Sequence, residues 1–78
     1  AKKLLLKGIY DGQKEKANQR RLSTYYTNLG TIYRNEGKYD SSYFCYTNSL
    51  KIKEVIKDLV GIADVKINLA TLLIKQGK

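Results

Sequence analysis

Chemistry needs side chains that move protons, hold metals or attack bonds, and this chain has few of them. It contains no histidine, one cysteine (Cys45) and seven carboxylates in 78 residues. Without histidine no Ser–His or Cys–His pair can form. A lone Cys45 makes neither an internal disulfide nor a cysteine-rich metal site. The carboxylates fall at no metal-ligand or EF-hand spacing, and the glycines form no phosphate-cradling loop. No catalytic, metal or cofactor site is expected, and the chain reads as a non-enzyme. Cys45 lies in the stretch Tyr43–Tyr46 and reads as a buried structural thiol. A reactive thiol would need an exposed, electropositive setting. What remains is recognition chemistry. Asn28 and Asn68 stand 40 residues apart. Each amide carries one acceptor and two donors, so each can bond a peptide backbone as a neighbouring strand would.

Charge is the second resource. The net charge is +8, and residues 1–21 hold Lys2, Lys3, Lys7, Lys14, Lys16, Arg20 and Arg21 against only Asp11 and Glu15. Such a surplus can draw in nucleic acid, an anionic surface or an acidic partner. The basic residues are not interleaved with aromatics as in a nucleic-acid groove, so a solvated helix face is the plainer reading. The chain has no apolar run of about 18 residues, which excludes a membrane span of that kind. It shows no signal-peptide pattern, and a cytoplasmic setting is expected. It contains no methionine, even at position 1, and is expected to be a piece of a longer protein.

The elements that must position these groups are helices. Leu22, Tyr26, Leu29 and Tyr33 recur at i, i+4, i+7 and i+11, and Tyr39, Tyr43, Tyr46 and Leu50 repeat that spacing. Ile62, Leu69 and Leu73, widened by Val65 and Leu72, form a third stripe. These are helical periods, and no strand alternation accompanies them. The absence of proline permits long helices. Asp11-Gly12 is a turn signal, Gly37 and Gly77 suit the residue just past a helix end, and Asp58–Gly61 is a softer boundary. The breaks predict four helices, about 1–11, 17–36, 39–57 and 61–76. Their short turns force antiparallel neighbours.

The chain also repeats itself. Asn28-Leu29-Gly30-Thr31 and Gly37-Lys38 align with Asn68-Leu69-Ala70-Thr71 and Gly77-Lys78 at a constant offset of 40. The opening segment matches the third predicted helix: Ala1, Leu5, Gly8 and Ile9 fall opposite Ser42, Tyr46, Ser49 and Leu50 at an offset of 41. The repeating unit is a helix pair. Such a pair, apolar on both members, cannot bury its stripes alone, and stacking a further pair covers the rest. Gly30 and Ala70 are read as leaving room for that stacking contact.

The motifs Tyr26-x-x-Leu29-Gly30-x-x-Tyr33, Gly37-x-Tyr39-Asp40 and Ser42-x-x-x-Tyr46-x-x-Ser49-Leu50 resemble the tetratricopeptide repeat (TPR) family. Ser42 and Ser49 stand where the family has alanine, which keeps the small volume. Glu54 stands where the family often has a closing proline. With the 40-residue period, this is similar to the long-helix subclass found in bacterial signalling and transcription-regulator proteins and in kinesin-light-chain-like adaptors. The resemblance implies an all-α fold of antiparallel helix pairs stacked as a right-handed α-solenoid. It places residues 1–16 as the second helix of one repeat, 17–57 as a complete repeat and 58–78 as the first helix of the next. It puts Tyr26, Tyr33, Tyr39 and Tyr46 in the core.

The resemblance further implies a concave face lined by the first helix of each pair. Thr24, Thr27, Asn28, Thr31, Arg34 and Asn35 would project there, followed by Asp64, Ile67, Asn68, Thr71 and Lys75. Relatives use an asparagine just before Leu-Gly to hold a peptide; alternatively, each asparagine ties neighbouring helices together. Asp64 and Asn68 occupy slots where a carboxylate-gripping member would carry basic groups, so carboxylate-clamp binding is not expected. The function implied is a protein–protein interaction module, a scaffold binding a partner's peptide or helix within a longer signalling or regulatory protein. The alternatives are a basic surface meeting nucleic acid or an acidic partner, or a sensor domain regulating a fused catalytic or DNA-binding domain. The expected partner is a protein or peptide, not nucleic acid or membrane. Exposed apolar faces on the end helices also predict self-association.

Overall fold

The computed structural model describes residues 2–77, and the side chains of residues 15–77. The described residues form three α-helices and no strand: α1 (Lys2–Asn35), α2 (Tyr39–Val55) and α3 (Leu59–Lys75). The all-helical class follows from the periodicity, but the expected count of four does not hold. The turn predicted at Asp11-Gly12 is absent, and α1 runs through it as one 34-residue helix. An internal glycine costs a helix about 1 kcal/mol relative to alanine, which weakens it without ending it. The segment Lys14-Glu15-Lys16-Ala17 that follows is rich in strong helix formers, and no proline stands nearby.

The other breaks share one geometry. After α1 the Gly37 N–H donates to the Arg34 carbonyl at 3.0 Å and the Lys38 N–H to the Tyr33 carbonyl at 2.8 Å. This paired closure needs a left-handed residue, and Gly37 has φ 79°. After α2 the same pattern recurs: Lys57 N–H to Glu54 at 3.2 Å and Asp58 N–H to Lys53 at 2.9 Å. Here the left-handed position is held by Lys57, with φ 58°. Asp58 then caps α3, its carboxylate accepting from the Gly61 N–H at 3.0 Å. Gly77 repeats the closure of Gly37, with φ 76°.

With links of three residues, α2 lies antiparallel to α1, and α3 antiparallel to α2. Small residues bring α1 and α2 close. Ser23, Ser42 and Ser49 are fully buried. Their hydroxyls donate to main-chain carbonyls of α1: Ser42 to Gly30 at 2.7 Å, Ser49 to Ser23 at 2.8 Å and Ser23 to Arg20 at 2.8 Å. The expected role of Gly30 changes. Its missing side chain makes room for the Tyr46 ring inside the same helix pair, not for a neighbouring pair.

The core is Tyr46, Val65 and Leu72, with Tyr39, Leu50 and Leu69 packed around it. Cys45 is buried, and burial pushes its thiol above the ordinary value. Tyr26, Leu29 and Tyr33 are half-buried, whereas Leu22, Tyr43 and Leu73 lie exposed. In helices covered by so few neighbours, only the part of each apolar stripe that meets another helix is enclosed.

Candidate functional site

Of the eleven residues expected on one face, Ile67 lies exposed on α3, and the other ten divide into three groups. Thr27 and Thr31 are held in the joint between α1 and α2. The Thr27 hydroxyl lies 2.6 Å from that of Ser49, and the Thr31 hydroxyl 2.8 Å from that of Tyr46. Both threonines also bond carbonyls one turn back in α1, so their hydroxyls are committed within the chain.

Arg34, Asn68, Asp64 and Thr71 form the second group. An Arg34 Nη donates to the Asn68 Oδ1 at 3.4 Å, and the Asn68 Nδ2 donates to the Asp64 carbonyl at 3.1 Å. This link joins the C-terminal part of α1 to the middle of α3, and it is a tie between helices. The Arg34 Nε is shut off from solvent and has no hydrogen-bond partner among the described residues. Thr71 donates to the Ile67 carbonyl within α3.

Thr24, Asn28, Asn35 and Lys75 are the third group, all exposed. Thr24, Asn28 and Asn35 share one side of α1 at i, i+4 and i+11. The Asn28 amide makes no hydrogen bond to the described residues, unlike the engaged amide of Asn68. The two asparagines that the repeat equates therefore differ: Asn68 is a strut and Asn28 an open amide.

Lys16, Ala17, Arg20, Arg21 and Thr24 line an open cleft that continues this strip toward the N-terminal part of α1. Sequence reading credited these cations to the charge of the N-terminal third without placing them in the strip. The i, i+4 spacing of Lys16, Arg20 and Thr24 was the signal that could have done so. The positive field of Arg20 also reaches Asp58. That carboxyl sits below its ordinary value, first because the Gly61 N–H bonds the ionised form, then through Lys53 and Arg20.

Among the described residues no three His, Cys, Asp or Glu side chains gather as a metal site would require. Among them, too, no helix is long and apolar enough to cross a membrane. Comparison of the chain with protein-family profiles, curated proteins and solved structures returned no match.

Proposed function

We propose that the chain is a TPR-like interaction module, part of a right-handed solenoid, that binds a peptide or helix of a protein partner along the polar side of α1 and α3. The observation that carries the reading is the contrast on that side. Asn28 is exposed with an uncommitted amide, beside Thr24 and Asn35. The equivalent Asn68 is fixed by Arg34 and by the Asp64 carbonyl, which holds the opposite wall in place. An oriented wall beside a free amide favours main-chain recognition of an extended peptide, in which the Asn28 amide replaces a strand's donor and acceptor. The setting that fits is a signalling or regulatory protein whose other parts supply the remaining repeats.

A second reading has its own observation. Lys16, Arg20 and Arg21 gather in the cleft at the end of the same strip, which suits an acidic partner. One experiment separates the two. Peptides selected from a random display library on the immobilised chain are measured against Asn28→Ala, Asn68→Ala and Arg20→Glu with Arg21→Glu, at low and high salt. Loss of one hydrogen bond costs about 0.5–1.5 kcal/mol, so Asn28→Ala should weaken binding about 2- to 13-fold with little salt dependence. If Asn28→Ala changes nothing while the Arg20/Arg21 variant abolishes binding, the groove reading falls and the basic-surface reading stands.

A further inference from the structure

The least satisfied side chain among the described residues is Arg34, near the C-terminal end of α1. A guanidinium carries five N–H donors and no acceptor. Only one of Arg34's donors has a partner among the described residues: an Nη donates to the Asn68 Oδ1 at 3.4 Å. Well-formed N–H···O bonds lie at about 2.7–3.2 Å, so this one is long. Its acceptor is a neutral amide rather than a carboxylate. The one ion pair among the described residues is Lys53 with Asp58, at the α2–α3 link. The Nε is the sharper sign. It is closed to solvent, so water does not satisfy it, and no described residue does. A buried donor left unmatched is costly, and more so on a charged group.

The helix period does not itself call for a cation at this position. The 40-residue repeat equates Arg34 with Ile74, an apolar residue. The setting of Arg34 is internal to the described fold: α1 supplies the guanidinium and α3 its partner. The amide it meets belongs to the polar side of α3, between exposed Asp64 and half-buried Thr71. The unmatched cation therefore borders the strip that the groove reading assigns to a peptide.

We propose that Arg34 selects the peptide: its guanidinium leaves the Asn68 amide and takes the carboxylate of an Asp or Glu side chain of the partner, through Nε and an Nη together. The inference rests on the groove reading above. Charge-assisted bonds of this fork are about 2.7–2.9 Å long and roughly twice as strong as neutral ones. The exchange replaces one long bond by two short ones and matches the orphan Nε. It also frees the Asn68 Oδ1. The Asn68 Nδ2 keeps its bond to the Asp64 carbonyl, so the amide stays oriented. Its oxygen then accepts a main-chain N–H of the same peptide. An acidic side chain is thus the condition for using the second asparagine of the repeat, and a neutral peptide meets Asn28 alone.

The test compares peptides selected from a random display library on the immobilised native chain and on Arg34→Gln. Glutamine keeps an N–H for Asn68 and removes the charge, and circular dichroism checks that helicity is retained. The native chain should enrich Asp or Glu at one peptide position, and Arg34→Gln should not. Replacing that acid by its amide should weaken binding to the native chain about 13- to 160-fold, the range for hydrogen bonds to a charged group, and leave binding to Arg34→Gln nearly unchanged. Asn68→Ala should weaken the acidic peptide and not its amide form, a coupling that an arginine serving only as a helix tie would not produce. On the native chain, where no substitution can disturb the fold, the Arg34 Nε–H proton resonance should move downfield with the acidic peptide and stay in place with the amide form. An unmoved resonance, an absence of any enriched acid, or an enrichment that survives Arg34→Gln overturns the proposal. So does an enrichment that depends on Arg20→Gln with Arg21→Gln instead. The groove reading survives these results if Asn28→Ala still weakens the selected peptides. Conversely, peptides that need Arg34 and their acid but ignore Asn28→Ala refute the groove reading and leave Arg34 its role.

Discussion

The ring of Tyr46 occupies the space in which a side chain at Gly30 would stand. A Cβ built on Gly30 lies 2.8 Å from the ring's Cδ1 and Cε1. Tyr46 is fully buried, so its ring has no open space to move into. Gly30→Ala should therefore destabilise the fold. Overpacking costs about 1–3 kcal/mol, and the better helix propensity of alanine returns up to about 1. Urea unfolding measures the difference. A variant as stable as the native chain would mean that the two helices separate freely.

The Tyr46 hydroxyl can be tested apart from its ring. Tyr46→Phe keeps the packing and removes the 2.8 Å bond to Thr31. The expected loss is about 0.5–1.5 kcal/mol. Tyr46→Ala removes the largest buried side chain and should cost about 3–5 kcal/mol. For a chain of this size that is most of its stability, so thermal melting should show little cooperative transition.

Lys57 sits at φ 58° in the closure of α2, where α1 and α3 use glycine. A side chain in that conformation costs about 1–2 kcal/mol. Lys57→Gly should raise stability by about 1 kcal/mol, less what glycine adds to the entropy of the unfolded chain. A lower melting temperature in this variant would show that the lysine side chain makes a compensating contact.

Asp58 links stability to pH. Its carboxyl is held below the ordinary value of 3.8, first by the Gly61 N–H and then by Lys53, whose Nζ lies 3.6 Å away, and Arg20. A depressed carboxylate contributes stability that is complete above its unfolded value and is lost as pH falls through the folded one. Stability should therefore decline below about pH 4 through this group. Asp58→Asn keeps a capping oxygen and should flatten that decline, while Asp58→Ala should also lower stability at neutral pH because the cap of α3 is lost. An unaltered acid limb in Asp58→Asn would assign the pH dependence to other carboxylates.

Cys45 should resist modification in the folded chain. It is 3% exposed and its thiol titrates above the ordinary value, so little thiolate is present at neutral pH and reagents cannot reach it. Ellman's reagent should react slowly with the native chain and rapidly, at one equivalent, in denaturant. Rapid native reaction would show that the α1–α2 joint opens readily.

Helical class, two of the helix ends and the core role of Tyr46 were legible in the sequence for local reasons. The i, i+4, i+7 spacing of apolar residues has one periodic solution, and Gly37 and Gly77 supply the left-handed residue that a helix closure requires. The end of α2 was harder to read because Lys57 performs a glycine's task, which no residue-type rule signals. The turn expected at Asp11-Gly12 failed because a glycine in helical surroundings lowers stability without dictating where the chain turns.

The division of labour among the polar residues was decided only by tertiary structure. Asn28 and Asn68 are one motif in sequence, yet Asn68 is engaged because Arg34 of α1 reaches it on α3, while Asn28 has no such neighbour among the described residues. Thr27 and Thr31 carry the same chemistry as Thr24, but the approach of Ser49 and Tyr46 draws their hydroxyls into the joint. Gly30 was legible as a place of close approach; that Tyr46 of its own pair fills the space follows from the three-dimensional path of α2. Sequence determines which side chains repeat and with what period, because those are local properties of a helix. Which of them meets a partner across the fold depends on how two helices cross, and so only the tertiary structure separated the committed polar groups from the free ones.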